Sequence, residues 1–249
     1  MSNTTQTMRF GLIGYPLSHS FSPAYFKEKF QNLGINASYL LFPMEQISSK
    51  EDLLALGVDG FNVTIPHKKR IMDFLDEIDP QAEMIGAVNC VKIVEGRLIG
   101  YNTDFLGFLV GLDQLLNETK VDRALILGTG GSAQAIKYAL TQRSITHQMV
   151  SRSGGGIGYR DLEKSLVENH KLIINTTPLG MYPKVEEAPE FPYEYLTPKH
   201  FLYDLIYNPE KTLFLSQGIL RGAQTINGLV MLIHQAEYSW KIWQNQAIE

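Results

Sequence analysis

The sequence predicts an α/β fold: two α/β domains joined by helices, the N-terminal one on a mostly parallel sheet. Three observations carry that prediction. Short apolar strands alternate with helical patterns through the first half, the signature of βαβ units. The alternation restarts after the polar stretch Asn117 to Asp122, where a fresh apolar strand runs into a glycine-rich turn. At 249 residues the chain has room for two modest cores.

Arg9 to Gly14 reads as the first strand. Ser22-Pro23 follows as an N-cap and N1 pair, predicting a helix to about Leu33 with Gly34 as its C-cap. Ala37 to Phe42 is a second strand, Ile47 to Leu56 a helix and Gly60 to Thr64 a third strand, with Pro66 opening the next helix. Val88 to Val94 and Leu98 to Tyr101 flank Glu95-Gly96, a hairpin turn. Thr103 can cap a long helix from Asp104 to Leu116, and the domain break falls along it. Beyond lie strands Ala124 to Leu127, Gln148 to Val150 and Leu172 to Asn175, with a helix near Asp161 to Val167. Lys184 to Pro198, rich in proline and acid, is a surface loop; Phe201 to Leu205 is a strand and Gly228 to Gln246 a closing amphipathic helix.

Composition excludes several classes. A net charge of -4 with no basic run argues against a nucleic-acid surface, though a local basic pocket for an anion stays open. Cys90 is the only cysteine, so an intrachain disulfide is impossible and a cysteine-based zinc site is disfavoured; no other ligand cluster suggests a metal. Met1 to Met8 is polar and lacks a secretory pattern, and no apolar run approaches bilayer length, so a cytoplasmic protein is expected.

Ala124 to Leu127 leads directly into Gly128-Thr129-Gly130-Gly131-Ser132-Ala133, then a helix pattern. Gly128 allows the tight turn, Gly130 lets a pyrophosphate approach the backbone, and Ala133 stays small for helix–strand packing. The helix start offers free N–H groups and a positive dipole end to phosphates. Strand, turn and helix in this order favour a Rossmann-like dinucleotide site over a plain structural turn. Where an NAD site carries Asp or Glu after the second strand, this chain has Ser151-Arg152-Ser153. A guanidinium and two hydroxyls suit a 2′-phosphate, which favours NADP; the alternative is a solvated loop arginine.

Three clusters follow strands of the first half, where open α/β sheets place ligands. Gly14 to Pro23 holds Ser18, Ser20 and Ser22 beside a helix start, which suits a carboxylate; Ser22 taken alone reads more simply as a helix cap. Asn62-Val63-Thr64-Ile65-Pro66-His67-Lys68 suggests a functional loop, although an isolated Lys68 reads as a solvated lysine. Gly86-Ala87-Val88-Asn89 and Gly100-Tyr101-Asn102-Thr103-Asp104 form the third, with Asp104 in a first helical turn that stabilises a carboxylate anyway.

Taken in order, these runs resemble the shikimate dehydrogenase family. The resemblance continues through the glycine turn, Asn175-Thr176-Thr177-Pro178-Leu179-Gly180-Met181, Asp204-Leu205-Ile206-Tyr207-Asn208-Pro209, Thr212, Asn227-Gly228 and Gln235-Ala236, covering Gly11 to about Trp243. It implies reversible NADPH-dependent reduction of 3-dehydroshikimate to shikimate, with a catalytic pair at Lys68 and Asp104. The residues leave open which of the two carries the proton. Ser20 and Ser22 would bind the ring carboxylate with Tyr207, and Thr64, Asn89, Asp104 and Gln235 the ring hydroxyls. Gly128, Gly130, Gly131, Ser132 and Ala133 would take the pyrophosphate, Ser151, Arg152 and Ser153 the 2′-phosphate. Thr176 joins the cofactor-binding set, and Leu205 and Gly228 would line the nicotinamide pocket. On this reading residues 1–104 and 229–249 form the substrate domain and 105–228 the dinucleotide-binding domain, in a monomer or homodimer. The chain departs from the family where Gly154-Gly155-Gly156 stands in place of a second basic residue after Ser153. The alternatives are a quinate/shikimate dehydrogenase of the same fold and a non-catalytic NADP-binding regulatory homologue.

Overall fold

The computed structural model describes residues 7–18, 20–152 and 154–248. The chain divides into two compact units, Met1–Thr103 with Ala236–Glu249, and Asp104–Gln235.

The first unit holds β1 (Met8–Gly14), α1 (Ser22–Leu33), β2 (Ala37–Pro43), α2 (Lys50–Leu54), β3 (Gly60–Val63), β4 (Glu77–Ile78), α3 (Pro80–Ile85), β5 (Cys90–Val94) and β6 (Arg97–Tyr101). Its sheet runs β2-β1-β3-β5-β6-β4. Pairing is parallel at β2–β1, β1–β3 and β4–β6, while β5 lies antiparallel to both neighbours. The reversal comes from the hairpin, whose Glu95 (φ 51°) and Gly96 (φ 75°) supply the two left-handed residues that a tight two-residue turn demands.

Local chemistry sets most helix ends. Gly34 closes α1 at φ 63°, where its N–H reaches the Phe30 and Gln31 carbonyls. Ser49 caps α2 by accepting from the Asp52 N–H, which starts that helix later than the apolar pattern from Ile47 predicts. Ser22 is not a cap. It is the first residue of α1, and Phe21 at the cap position makes no side-chain cap bond. Pro66 opens a turn rather than a helix, and a 3-10 stretch, Arg70–Phe74, stands where the helix was expected.

The second unit holds α4 (Asp104–Leu116), β7 (Arg123–Leu127), α5 (Gly131–Gln142), β8 (Thr146–Val150), α6 (Lys164–Asn169), β9 (Leu172–Asn175), β10 (Phe201–Asp204), α7 (Leu213–Leu220), β11 (Gln224–Ile226) and the first part of α8 (Leu229–Trp243). Its sheet is parallel throughout, in the order β11-β10-β9-β7-β8. The buried runs Ala124–Leu127 and Leu172–Asn175 suit a sheet covered on both faces. Apolar periodicity misses α7 because eight residues, with Ser216-Gln217-Gly218 in their middle, are too few to display the helical period; Thr212 starts it by accepting from the Leu215 N–H.

The C-terminal half of α8 closes the first unit's core. Trp243 stacks on Phe10 at 4.4 Å between ring centroids, and its Nε1 donates to the Val91 carbonyl at 3.0 Å. Gly60 makes room for it, since a Cβ there would stand 2.5 Å from Trp243 Nε1. Lys92, buried by the same helix end, donates to the Ile242 carbonyl at 3.0 Å and so satisfies a terminal carbonyl. Among the described residues no helix is long and apolar enough to cross a membrane.

In the second unit Tyr203 is fully buried, and among the described residues its hydroxyl is the buried side-chain polar atom without a hydrogen-bond partner. It lies against Gly111 of α4, where a Cβ would come within 2.1 Å of the oxygen. An unsatisfied buried hydroxyl destabilises, so Tyr203→Phe is expected to raise stability by about 1 kcal/mol. Denaturant melts check this, and a less stable variant overturns it.

Candidate active site

In the first unit, β1 and β3 run parallel and β5 runs against them. The C-terminal ends of β1, β3 and β6 therefore share an edge with the N-terminal end of β5. Ser20, Ser22, Thr64, Lys68 and Asn89 all emerge from that edge, and Asp104 follows β6 as the buried first residue of α4. The loops are tied together by backbone bonds: Thr64 N–H donates to Ile13, and Tyr15 N–H to Ile65, both at 2.9 Å. Gly14 must lack a side chain there, because a Cβ would lie 2.3 Å from Thr64 Cγ2.

Lys68 is half-buried, and its backbone is held on two sides. Its carbonyl accepts from Val88 N–H at 2.8 Å, and the preceding His67, buried, donates from Nε2 to the Met44 carbonyl at 2.7 Å. Asn89 is buried, with its Oδ1 accepting from the Thr103 N–H at 2.6 Å and its amide nitrogen donating to the Thr103 hydroxyl at 3.0 Å. Thr103, read from sequence as a helix cap, thus turns its hydroxyl to Asn89. The first turn of α1 carries neither an acidic residue nor a side-chain cap, so its positive end is open to an anion beside Ser20 and Ser22.

In the second unit the strand order reverses between β7 and β9, the switch point where parallel α/β sheets bind ligands beyond their C-terminal ends. The glycine turn follows β7 at that point. Gly128 holds φ 112°, and a Cβ there would stand 2.6 Å from the Thr176 hydroxyl, which donates to the Leu127 carbonyl at 2.7 Å. So the fold itself requires Gly128. Gly130 differs: its backbone is extended and nothing lies within 4 Å of the place a Cβ would take. Gly131 and Ser132 open α5, whose first turn has no acidic residue and no side-chain cap, and Ala133 is fully buried as the packing of a small residue requires.

At the end of β8, Ser151 is buried and Arg152 exposed; Ser153 lies outside the described residues. Gly154 and Gly155 take left-handed angles, and the Gly155 Cβ position lies 4.0 Å from Thr129 Cγ2, which sets this loop beside the glycine turn. Leu205 and Gly228 meet directly: a Cβ on Gly228 would stand 2.0 Å from the Leu205 carbonyl oxygen. Tyr207 is half-buried just beyond β10. On α4, Gly107 lets the backbone of α8 approach, with Gln235 N 2.9 Å from its Cβ position. Asp104 opens the same face of α4 one turn earlier.

Sequence reasoning quotes Asp204 without assigning it a role. The structure makes it the pin of the β9 and β10 ends: it accepts from Asn175 Nδ2 at 3.0 Å, Ile206 N–H at 3.0 Å and the Thr212 hydroxyl at 2.6 Å. Burial pushes its carboxyl up to about 6, against the partial relief of those three donors. Because the folded state holds the proton more tightly than the unfolded chain, the stabilisation is fully present below the ordinary carboxylate value and lost as pH rises through about 6. Wild-type stability should therefore carry a falling component of roughly 3 kcal/mol across that window. Asp204→Asn should lack it, and identical pH profiles from denaturant titrations overturn the assignment. Asn62 and Thr103 stand in the sequence-predicted clusters without a role of their own, and Tyr39 and Ser239, which the sequence does not single out, hydrogen-bond to them. The available signal is Asn62, an amide in β3, whose every residue is buried.

Residues 12–91 match the shikimate dehydrogenase substrate binding domain. The shikimate dehydrogenase (NADP(+)) of Desulforamulus reducens is 39% identical to this chain, over 94% of this chain and 88% of that protein. The crystal structure of shikimate 5-dehydrogenase from Thermus thermophilus in complex with NADP(H) and shikimate superposes with TM-score 0.87 at 30% identity, covering 97% of this chain and 95% of that one. Quinate dehydrogenase from Corynebacterium glutamicum in complex with NAD gives TM-score 0.87 at 28% identity, with 96% and 94% covered. The fold is thus common to enzymes with different substrates, while sequence identity at this level over nearly the full length is decisive for kinship: the chain belongs to the shikimate dehydrogenase family.

Proposed function

We propose that this protein catalyses the reversible reduction of 3-dehydroshikimate to shikimate with NADPH. One observation carries the reading: the 39% identical relative, matched over nearly its whole length, is a shikimate dehydrogenase that uses NADP(+). The residues fit the cofactor. The open space at Gly130 and the acid-free, uncapped start of α5 suit a pyrophosphate. Arg152 in place of an acid after β8 suits a 2′-phosphate. Gly128, Gly131, Ser132, Ala133, Ser151, Ser153 and Thr176 complete that set, with Leu205 and Gly228 at the nicotinamide.

NADPH, when bound, supplies the hydride. The Lys68 ammonium hydrogen-bonds the ketone oxygen of the substrate, stabilises the negative charge that grows there and delivers a proton to it. Asp104, at the positive end of α4, accepts from the neighbouring hydroxyl. Ser20 and Ser22, with the first-turn amides of α1 and the Tyr207 hydroxyl, hold the carboxylate. Thr64, Asn89 and Gln235 hold the ring hydroxyls. Together they fix the reacting carbon, so that little orientation is left to chance.

Absorbance at the nicotinamide band tests this with shikimate or quinate, each with NADP or NAD. Reduction fastest with shikimate and NADP supports the reading; faster turnover of quinate with NAD moves the chain to the quinate dehydrogenases. Arg152→Ala should weaken NADP by about tenfold or more while leaving NAD within about twofold, since it removes a charge-assisted contact to one phosphate. Equal losses for both cofactors take Arg152 out of the phosphate site.

A further inference from the structure

Behind the edge that carries Ser22 and Asn89, the first unit buries a continuous polar array. Asn62 is its hub, 5% exposed at the middle of the sheet. Its Oδ1 accepts from the Tyr39 hydroxyl at 2.9 Å, and its amide nitrogen donates to the Asn89 carbonyl at 3.2 Å and to the Ser239 hydroxyl at 2.8 Å. Ser239, fully buried on α8, lies 3.3 Å from the Thr103 hydroxyl. Thr103 closes the circuit on Asn89 through its own N–H and hydroxyl.

A core selected for stability alone gains little from such groups, because each must be desolvated before it is paired. What the array does achieve is orientation. An amide has an accepting end and a donating end, and a ligand meets one or the other. The Asn62 amide has both ends engaged and cannot flip without losing its bonds. The Asn89 amide is read at its oxygen by an N–H, which admits one orientation only. We propose that Tyr39, Asn62 and Ser239 are positioning residues for substrate recognition, fixing the Asn89 amide without touching the substrate. The inference rests on the shikimate reading above and extends it to residues outside the contact set.

Ser239→Ala and Tyr39→Phe test it with little disturbance. The first trims one atom from a helix, and the second keeps the ring stacked on Phe26 at 4.4 Å. Each should raise KM for shikimate about five- to tenfold, the worth of one lost hydrogen bond, with kcat and the KM for NADP within about twofold. The decisive measurement is a pair of double-mutant cycles. Ser239→Ala and Tyr39→Phe should each add nothing in an Asn89→Ala background, because the group being positioned is then gone. Losses that multiply in both cycles, or an unchanged KM in variants whose thermal melts show them folded, overturn the proposal. Should Ser239→Ala fail to fold, the Tyr39 cycle decides alone. A wild type inactive on shikimate, or Asn89→Ala with unchanged KM, removes the underlying reading and this inference with it.

Discussion

Lys68→Ala is expected to lower kcat for shikimate oxidation by about a thousandfold, the combined worth of a lost proton carrier and a lost charge at the reacting oxygen. The affinity for NADP should stay within about twofold, because the side chain acts on the substrate and not on the cofactor set. Stability should barely change. Lys68 is half-buried, and its loop is held through backbone atoms: its own carbonyl on Val88 N–H, and the carbonyls and amides of His67 and its neighbours. Steady-state kinetics alongside fluorescence titration with NADP separates the two effects. Comparable turnover in the variant removes Lys68 from the chemistry. A loss of NADP binding of the same size as the loss of turnover makes its role structural.

Gly130→Asp sets stability against function even more sharply. Gly130 occupies the N-cap position of α5 with φ -71° and ψ -174°, an extended backbone that any residue adopts, and there is open space where a side chain would go. Aspartate is a better cap than glycine, so helix and fold should be unchanged or gain a few tenths of a kcal/mol. The same carboxylate would occupy the first-turn amides and repel a pyrophosphate at contact distance. Two like charges about 4 Å apart in a surface environment cost roughly 4 kcal/mol, so NADP affinity should fall at least about a hundredfold. Calorimetric titration and a thermal melt give the two readings. Undiminished NADP binding sinks the assignment of this turn to the pyrophosphate. Gly128 offers the contrast: its angle and the Thr176 hydroxyl at 2.6 Å from its Cβ position make any substitution a folding defect first.

The turns and glycine motifs are legible in the chain because their causes are local. Glu95-Gly96 announces a hairpin, Gly34 a helix end and Gly128 to Ala133 a phosphate-binding turn, each from the angles or contacts that a few neighbouring residues need. The same local logic places Lys68, Asn89 and Asp104 at strand ends. It fails at Ser22-Pro23, where the helix does start but the serine, one residue too late to be its cap, is buried as the first helical residue. It fails again at α7, where eight residues broken by Ser216-Gln217-Gly218 are too few to display the helical period.

By itself, the sequence determined the α/β class, the restart after Asn117 to Asp122, the dinucleotide turn without an acid after the second strand, and the family resemblance. Each depends on residues within a few positions of one another or on their order. Only the tertiary structure decided which buried polar groups are partners. Asn62 and Ser239 stand 177 positions apart and meet because sheet register brings β3 under the last turns of α8. It alone separated Gly128, demanded by packing, from Gly130, which packing leaves open. It alone made Asp204 a buried pin with a raised carboxyl. Burial and hydrogen-bond geometry belong to the packed surroundings of a residue, and those surroundings come from distant parts of the chain.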